Sequence, residues 1–321
     1  MELAQAFAVK AGLSNLQPLA AGLEFDVYKA TSRAHGAVVL RVPKSKVFQN
    51  ANDPNVDARA LVRQEVTIVE LLLVTATSVP VPRCHGYYEI DGHPAMVSEY
   101  MPGDDDDDDD DDDSVSADVV DVALGRVAAL IHATQVPADW PVALVAMEGC
   151  RASEELPTLF VRRMRRRFEV LGGLVPQTRD WAPDEATLRA VAEPLLLLRG
   201  RPAALLHMDL RRANVRVARA AGDRGVLDVS AVFDWTNALL GPPVVDVYRS
   251  LEWGARGAPF LAGYESVRGA PLEEVSPREE AFLRLDAALV LALVFASEAP
   301  DPEKQAGALR RVQELCEALR K

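Results

Sequence analysis

Ala203 to Val217 reads AALLHMDLRRANVRV. Small and apolar residues lead into His207-Met208-Asp209, Asn214 follows Asp209 by five positions, and Val215 to Val217 is strand-like. A second apolar run, Leu227 to Phe233, has strand character and ends at Asp234, twenty residues beyond Asn214. Polar groups placed just past buried strand ends project into a cleft with backbone support on one side. Taken singly, Asp209 or Asn214 fits a cap or turn better than a site. Their spacing and order carry the information. Phosphoryl transfer from a nucleotide requires such parts: a carboxylate to orient and deprotonate the attacking hydroxyl, and oxygen ligands for Mg²⁺.

Upstream, Leu19 to Ala30 (LAAGLEFDVYKA) sets a glycine between two stretches of strand character. Ala37 to Val42 (AVVLRV), closed by Pro43, is a compact β-branched run and reads as a strand. Pro80 and Pro82 mark a loop, and Asp91-Gly92 within Tyr87 to Tyr100 predicts a hairpin. Between these strands Arg59 to Val74 has helical periodicity, with Leu61, Val62, Ile68, Val69 and Leu72 on one face. Glu65 shares that face. Two readings stay open from the pattern alone: a carboxylate buried beside a cation, or one at the stripe's edge reaching water.

Downstream the character is helical. Helices are expected over Ala117 to Ala133, Leu159 to Leu171, Asp184 to Arg199 and most of Pro277 to Arg320. Arg162, Arg163, Arg165, Arg166 and Arg167 fall on the second of these; a solvated helix face is the expectation, an anionic-ligand site the alternative. Ala287 to Ala296, the most apolar stretch, reads as buried helix and is well short of the roughly 18 residues needed to span a bilayer. No internal repeat is visible.

A length of 321 residues suits two lobes, and 49% apolar with 26% charged residues is ordinary for a globular protein. Cys84, Cys150 and Cys316 are scattered and odd in number, which argues against a disulfide framework or zinc site and for the reducing cytoplasm. The N-terminus, MELAQAFAVKAGL, lacks the pattern of a secretory signal. Of the net charge of −13, ten units come from the unbroken run Asp104 to Asp113; without it the balance is −3. Nucleic acid is therefore excluded as a partner, since phosphate binding asks for a basic surface, and no membrane or obligatory protein partner is indicated. Three readings of the run stay open: a solvated, self-repelling loop, a lure for cationic substrates, or a segment that is not natural sequence. His35, His85, His93 and His132 show no metal-ligand spacing and read as surface or structural residues.

His207-x-Asp209-x-x-x-x-Asn214 followed by a strand ending in Asp234-Trp235 resembles the aminoglycoside phosphotransferase family of the protein-kinase-like fold. Gly241-Pro242-Pro243-Val244-Val245-Asp246 matches that family's later Gly-Asp-Pro-x-x-Asp imperfectly. Gly22 to Tyr28 (GLEFDVY) resembles its shortened phosphate loop, and Val39 to Pro43 its third strand; the wording around Gly22 and Arg41 is nearest to macrolide phosphotransferases. The likeness runs over roughly Leu19 to Trp253.

This resemblance implies an α+β, two-lobed protein-kinase-like fold with a small antiparallel-sheet N-lobe and a larger helical C-lobe. Residues 1–100 would form the nucleotide-binding lobe and end in the hinge; 101–321 would hold the catalytic loop and acceptor site. It implies Asp209 as catalytic base, Asn214 and Asp234 as Mg²⁺ ligands, Gly22 and Arg41 at the phosphates, and Glu65 steadying Arg41. Glu99, Tyr100 and Met101 would meet the nucleotide base, with His207 and Asp246 in support. The implied activity moves the terminal phosphoryl group of ATP or GTP to a hydroxyl of a small molecule, an aminoglycoside or macrolide among the candidates. A catalytically silent nucleotide- or ligand-binding module is the alternative. A protein kinase fits less well, because no Asp-Phe-Gly and no Ala-Pro-Glu is present. Arg41 stands where many members carry lysine. Met208 replaces a glycine and is expected to need a backbone conformation open to a side chain. Thr236 replaces a frequent acidic residue and is expected to bear on the substrate side.

Overall fold

The computed structural model describes residues 1–52, 54–75, 78–102, 116–137, 155–197, 203–219 and 227–321. Asp104 to Asp113 and Cys150 lie outside the described residues. The chain opens with α1 (Glu2–Lys10), followed by β1 (Leu13–Ala21), β2 (Phe25–Ser32) and β3 (Gly36–Pro43). A small hairpin of β4 (Val47–Gln49) and β5 (Pro54–Asp57) leads into α2 (Ala58–Val74), and β6 (Cys84–Ile90) and β7 (His93–Glu99) complete a five-stranded antiparallel sheet in the order β1-β2-β3-β7-β6.

Local chemistry explains these elements. Asp91 and Gly92 take φ of 48° and 77°, the left-handed pair demanded by a two-residue hairpin, and so set Ile90 opposite His93. Asp57 caps α2 through the Arg59 amide. One face of the sheet buries Phe7, Leu40 and Val97 with α1; against the other, Leu61 and Val62 of α2 pack with Phe25 and Met96. All five α2 positions assigned to the apolar stripe are buried.

The helical lobe begins with α3 (Ala117–His132), α4 (Leu156–Leu174) and α5 (Glu185–Leu196). Two short antiparallel pairs flank the segments around Asp209, Asn214 and Asp234: β8 (Ala204–Leu206) pairs with β11 (Leu239–Gly241), and β9 (Val215–Arg219) pairs with β10 (Leu227–Val232). Then come α6 (Pro243–Glu252), α7 (Gly257–Arg268), α8 (Pro277–Leu293) and α9 (Pro302–Leu319), with a π-helical turn at Val294–Glu298 between the last two. Ser276 and Glu279 form a capping box ahead of α8. Helices α3 and α7 touch backbone to backbone because Gly125 and Gly263 lie at the crossing: a Cβ at either would sit about 2 Å from a facing carbonyl oxygen.

Two sequence expectations fail here. Arg163 and Arg167 of α4 are buried and ion-paired to Asp286 of α8, so the arginine-rich stretch is not simply a solvated face. The run Ala287 to Ala296 is only partly core, since Val290, Leu291, Val294 and Phe295 line the interlobe cleft. Among the described residues no helix is long and apolar enough to cross a membrane.

Candidate active site

Between the lobes lies a cleft of about 1460 Å³. Gly22, Arg41, Glu65, Glu99, Tyr100 and Met101 line it from the sheet side; Asp209, Asn214 and Asp234 line it from the other. His207 and Asp246 do not reach the cleft and lie behind it, fully buried.

The chain delivers these groups by short, well-anchored segments. Gly22 occupies the tight turn between β1 and β2, where its amide donates to the Phe25 carbonyl at 2.9 Å. Arg41 projects from β3 over the Phe25 ring, 4.0 Å from its centroid. Its Nη1 meets Glu65 Oε2 at 2.5 Å and its Nη2 meets Asp234 Oδ1 at 3.0 Å. This settles the two readings of Glu65: it is a buried, paired carboxylate. Burial raises the Glu65 carboxyl while Arg41 opposes the rise. Removing one partner of a buried pair costs about 3 kcal/mol or more. Glu65→Ala is therefore expected to lower unfolding free energy by about 3 kcal/mol in urea titrations at neutral pH, with Arg41 retaining only Asp234.

The Asp209 loop is held by its own backbone. Met208 N and His207 N donate to the two Asp246 carboxylate oxygens at 2.8 and 2.9 Å, and His132 Nε2 meets Asp246 Oδ2 at 3.1 Å. The Asp209 amide donates to His207 Nδ1 at 3.2 Å. That fixes the tautomer: His207 Nε2 carries the proton and donates to the Phe233 carbonyl at 2.9 Å. Met208 takes φ of 65°. The expectation of a conformation open to side chains is wrong. This left-handed backbone is costly for a non-glycine residue, and Asp246 beneath it holds the turn regardless.

Asn214 Nδ2 donates to the Asp209 carbonyl at 2.8 Å, which leaves Asn214 Oδ1 toward the cleft. Asp234 follows β10 in the left-handed region, φ 64°. Its Oδ1 is engaged by Arg41 and, at 2.6 Å, by the Thr236 hydroxyl. Asp234 Oδ2 takes no hydrogen bond among the described residues. Burial alone would raise the Asp234 carboxyl, but Arg41 and Thr236 outweigh it and hold the pKa at about 2. Burial pushes Asp209 up, with Arg211 pulling against it. The Thr236 hydroxyl thus serves Asp234, and the residue is buried while still lining the cleft.

Two hard oxygens, one anionic and one amide, suit Mg²⁺, which takes few protein ligands and completes its shell with phosphate oxygens and water. No cluster of three or more His, Cys, Asp or Glu that could hold a metal occurs among the described residues.

Three polar residues escaped the sequence reading. Arg211 Nε donates to Asp209 Oδ1 at 2.9 Å. Gln64 of α2 donates to the carbonyls of Trp235, Thr236 and Ala238 at 3.2, 2.8 and 3.3 Å and docks α2 onto the segment after Asp234. Arg249 lines the cleft beneath the loop. Its one available signal was its position three residues after Asp246, on the same helical face.

A family model described as "Phosphotransferase enzyme family" matches residues 15–283. Among solved structures, that of aminoglycoside phosphotransferase APH(4)-Ia superposes with a TM-score of 0.60 at 15% identity, covering 99% of each chain. The macrolide 2'-phosphotransferase MphH from Brachybacterium faecium gives 0.53 at 21%, covering 97% of this chain and 98% of that one. A GDP complex of an aminoglycoside 2'-phosphotransferase-IIIa variant gives 0.56 at 18%, covering 98% and 96%. At these identities the likeness speaks for the two-lobed fold. No curated protein matches the sequence.

Proposed function

Because the chain belongs to the phosphotransferase enzyme family, we propose that it transfers the terminal phosphoryl group of ATP or GTP to a hydroxyl of a small molecule. The observation that carries this reading is the convergence of Arg41, Asp209, Asn214 and Asp234 on one cleft, with Asn214 Oδ1 and Asp234 Oδ2 left for a ligand. In this reading residues 1–100 hold the nucleotide and end at the hinge, where the backbone of Glu99 to Met101 meets the base. Residues 101–321 supply the catalytic loop and the acceptor wall. An antibiotic acceptor draws support from the neighbouring folds: one APH(4)-Ia structure is a ternary complex with AMP-PNP and hygromycin B, and MphH is a macrolide 2'-phosphotransferase. The cytoplasm, where the nucleotide is abundant, is the proposed location.

Gly22 and Arg41 bind and orient the nucleotide phosphates. Asn214 and Asp234 would hold Mg²⁺, which when bound neutralises phosphate charge. Asp209 accepts the proton of the acceptor hydroxyl as its oxygen bonds to the terminal phosphorus and the bond to the nucleoside diphosphate breaks. The upward push of burial on Asp209 suits a base, since catalytic carboxylates work best nearer the operating pH. Arg211 engages Oδ1 alone, so Oδ2 is left for the acceptor. The rate gain would come chiefly from positioning and charge neutralisation.

A thermal-shift assay with ATP or GTP and Mg²⁺, followed by nucleotide consumption over a library of hydroxyl compounds, tests the reading. Nucleotide at 100 times its dissociation constant is expected to add about 2.7 kcal/mol of stability, and an aminoglycoside or macrolide to trigger consumption. Stabilisation without consumption for any acceptor would instead mark a binding module.

A further inference from the structure

The peptide joining Met208 to Asp209 is gripped on both sides. Its N–H donates to His207 Nδ1, and its carbonyl accepts from Arg249 Nε at 2.5 Å. Arg249 comes from α6, the helix that also carries Asp246, and only 4% of it is exposed. Its Nη1 meets Asp286 Oδ2 of α8 at 2.8 Å, and its guanidinium lies 4.2 Å from the Trp253 ring centroid. Asp286 in turn pairs with Arg167 at 2.9 Å and Arg163 at 3.3 Å. A buried cation whose planar fork spans one backbone carbonyl and one carboxylate is an expensive way to fill space, because apolar packing of equal volume is often neutral or better for stability. Fixed geometry is what the fork provides.

We propose that Arg249 is a positioning residue for phosphoryl transfer: it fixes the Met208–Asp209 peptide and with it the direction of the Asp209 carboxylate, while Asp286 fixes Arg249. This rests on the reading of Asp209 as the base. Asp246 holds the amide side of the left-handed turn and Arg249 the carbonyl side, so losing Arg249 frees one peptide plane without emptying the site. Arg249 remains a cation at neutral pH, since burial lowers it only to about 10 with Asp286 opposing.

The test compares wild type with Arg249→Ala, Arg249→Lys and Asp286→Asn, each normalised to its folded fraction. Turnover of an acceptor found in the library and amide hydrogen exchange over residues 207–214 are the two readouts. For Arg249→Ala, kcat is expected to fall about 10²-fold, the scale of a small misplacement of a reacting group. KM for the nucleotide should stay within about twofold, and exchange over 207–214 should accelerate while the β2–β3 amides keep wild-type protection. Arg249→Lys and millimolar guanidinium added to Arg249→Ala should each restore part of kcat; Asp286→Asn should fall between. A structural ion pair would lower only the melting temperature. Unchanged loop exchange, a loss confined to KM, or wild-type kcat per folded molecule would each overturn the proposal. If wild type turns over no acceptor, the phosphotransfer reading fails, and the exchange comparison alone decides whether Arg249 holds this peptide.

Discussion

Asp209→Asn is expected to retain nucleotide binding and to lose turnover by about 10²-fold or more, the usual scale for a missing general base. The substitution is nearly isosteric, and the backbone contacts that hold the loop do not use the Asp209 side chain: Asn214 bonds its carbonyl and His207 its amide. The Asp209 carboxylate meets Arg211 on one oxygen. The amide can keep a contact to Arg211 through its oxygen, but its NH₂ cannot accept a hydroxyl proton. The loss should therefore appear in kcat, with the Mg²⁺-dependent nucleotide thermal shift preserved. Asp209→Ala should match it in kcat. A turnover number unchanged in Asp209→Asn would remove the role assigned to this carboxylate. Equal losses in nucleotide binding would instead mean that the residue shapes the phosphate site.

What the sequence made readable, and what it hid, divides along the chain's contact distances. Asn214 directly precedes β9 and Asp234 lies just past β10, so the antiparallel pairing of Val215 with Val232 puts them at one end of that pair, and Asp209 is only five residues upstream of Asn214 in the loop after β8. The Asp91-Gly92 hairpin and the α2 stripe are likewise local. Glu65 was ambiguous because its partner, Arg41, is 24 residues away on another element, and no periodicity on α2 encodes that pairing. The α4 arginines were misjudged for the same reason on a larger scale: Arg163 and Asp286 are 123 residues apart. The Met208 conformation reversed a sound local argument. A left-handed residue normally calls for glycine, yet tertiary anchors at both of its peptide groups override the preference. The C-terminal wall of the cleft left no pattern at all, since Val290, Leu291, Val294 and Phe295 look in sequence like any buried helix, and the π-helical turn that takes in the last two is not encoded in apolar spacing.

Asp246→Ala should be the most damaging single change to the fold near the site, and it should damage catalysis by a separate route. The carboxylate is 1% exposed and accepts from His207 N, Met208 N and His132 Nε2. Its loss leaves two buried backbone N–H groups without an acceptor, at about 1–3 kcal/mol each, and an imidazole without its partner. An expected loss of about 4 kcal/mol is a large share of the roughly 5–15 kcal/mol that holds a domain folded. Asp246→Asn should lie between wild type and alanine, because one amide oxygen can serve one N–H while the NH₂ faces the other. The pH dependence has a definite sign. Burial works to raise the Asp246 carboxyl, but His132 and the loop amide outweigh it, and its folded-state pKa lies below the ordinary value. A depressed carboxylate contributes stability that is complete above the unfolded-state pKa, about 3.9, and is lost as pH falls through the folded-state value. The stability gap between wild type and Asp246→Ala, measured by urea unfolding, should therefore be constant from neutrality down to about pH 5 and narrow below about pH 4. A gap that instead narrowed on raising the pH would assign the stabilising charge to another group. Because Asp246 accepts from both His207 N and Met208 N while Arg249 holds a single carbonyl, the surviving folded fraction of Asp246→Ala should also lose kcat, and loop exchange over 207–214 should accelerate beyond that of Arg249→Ala.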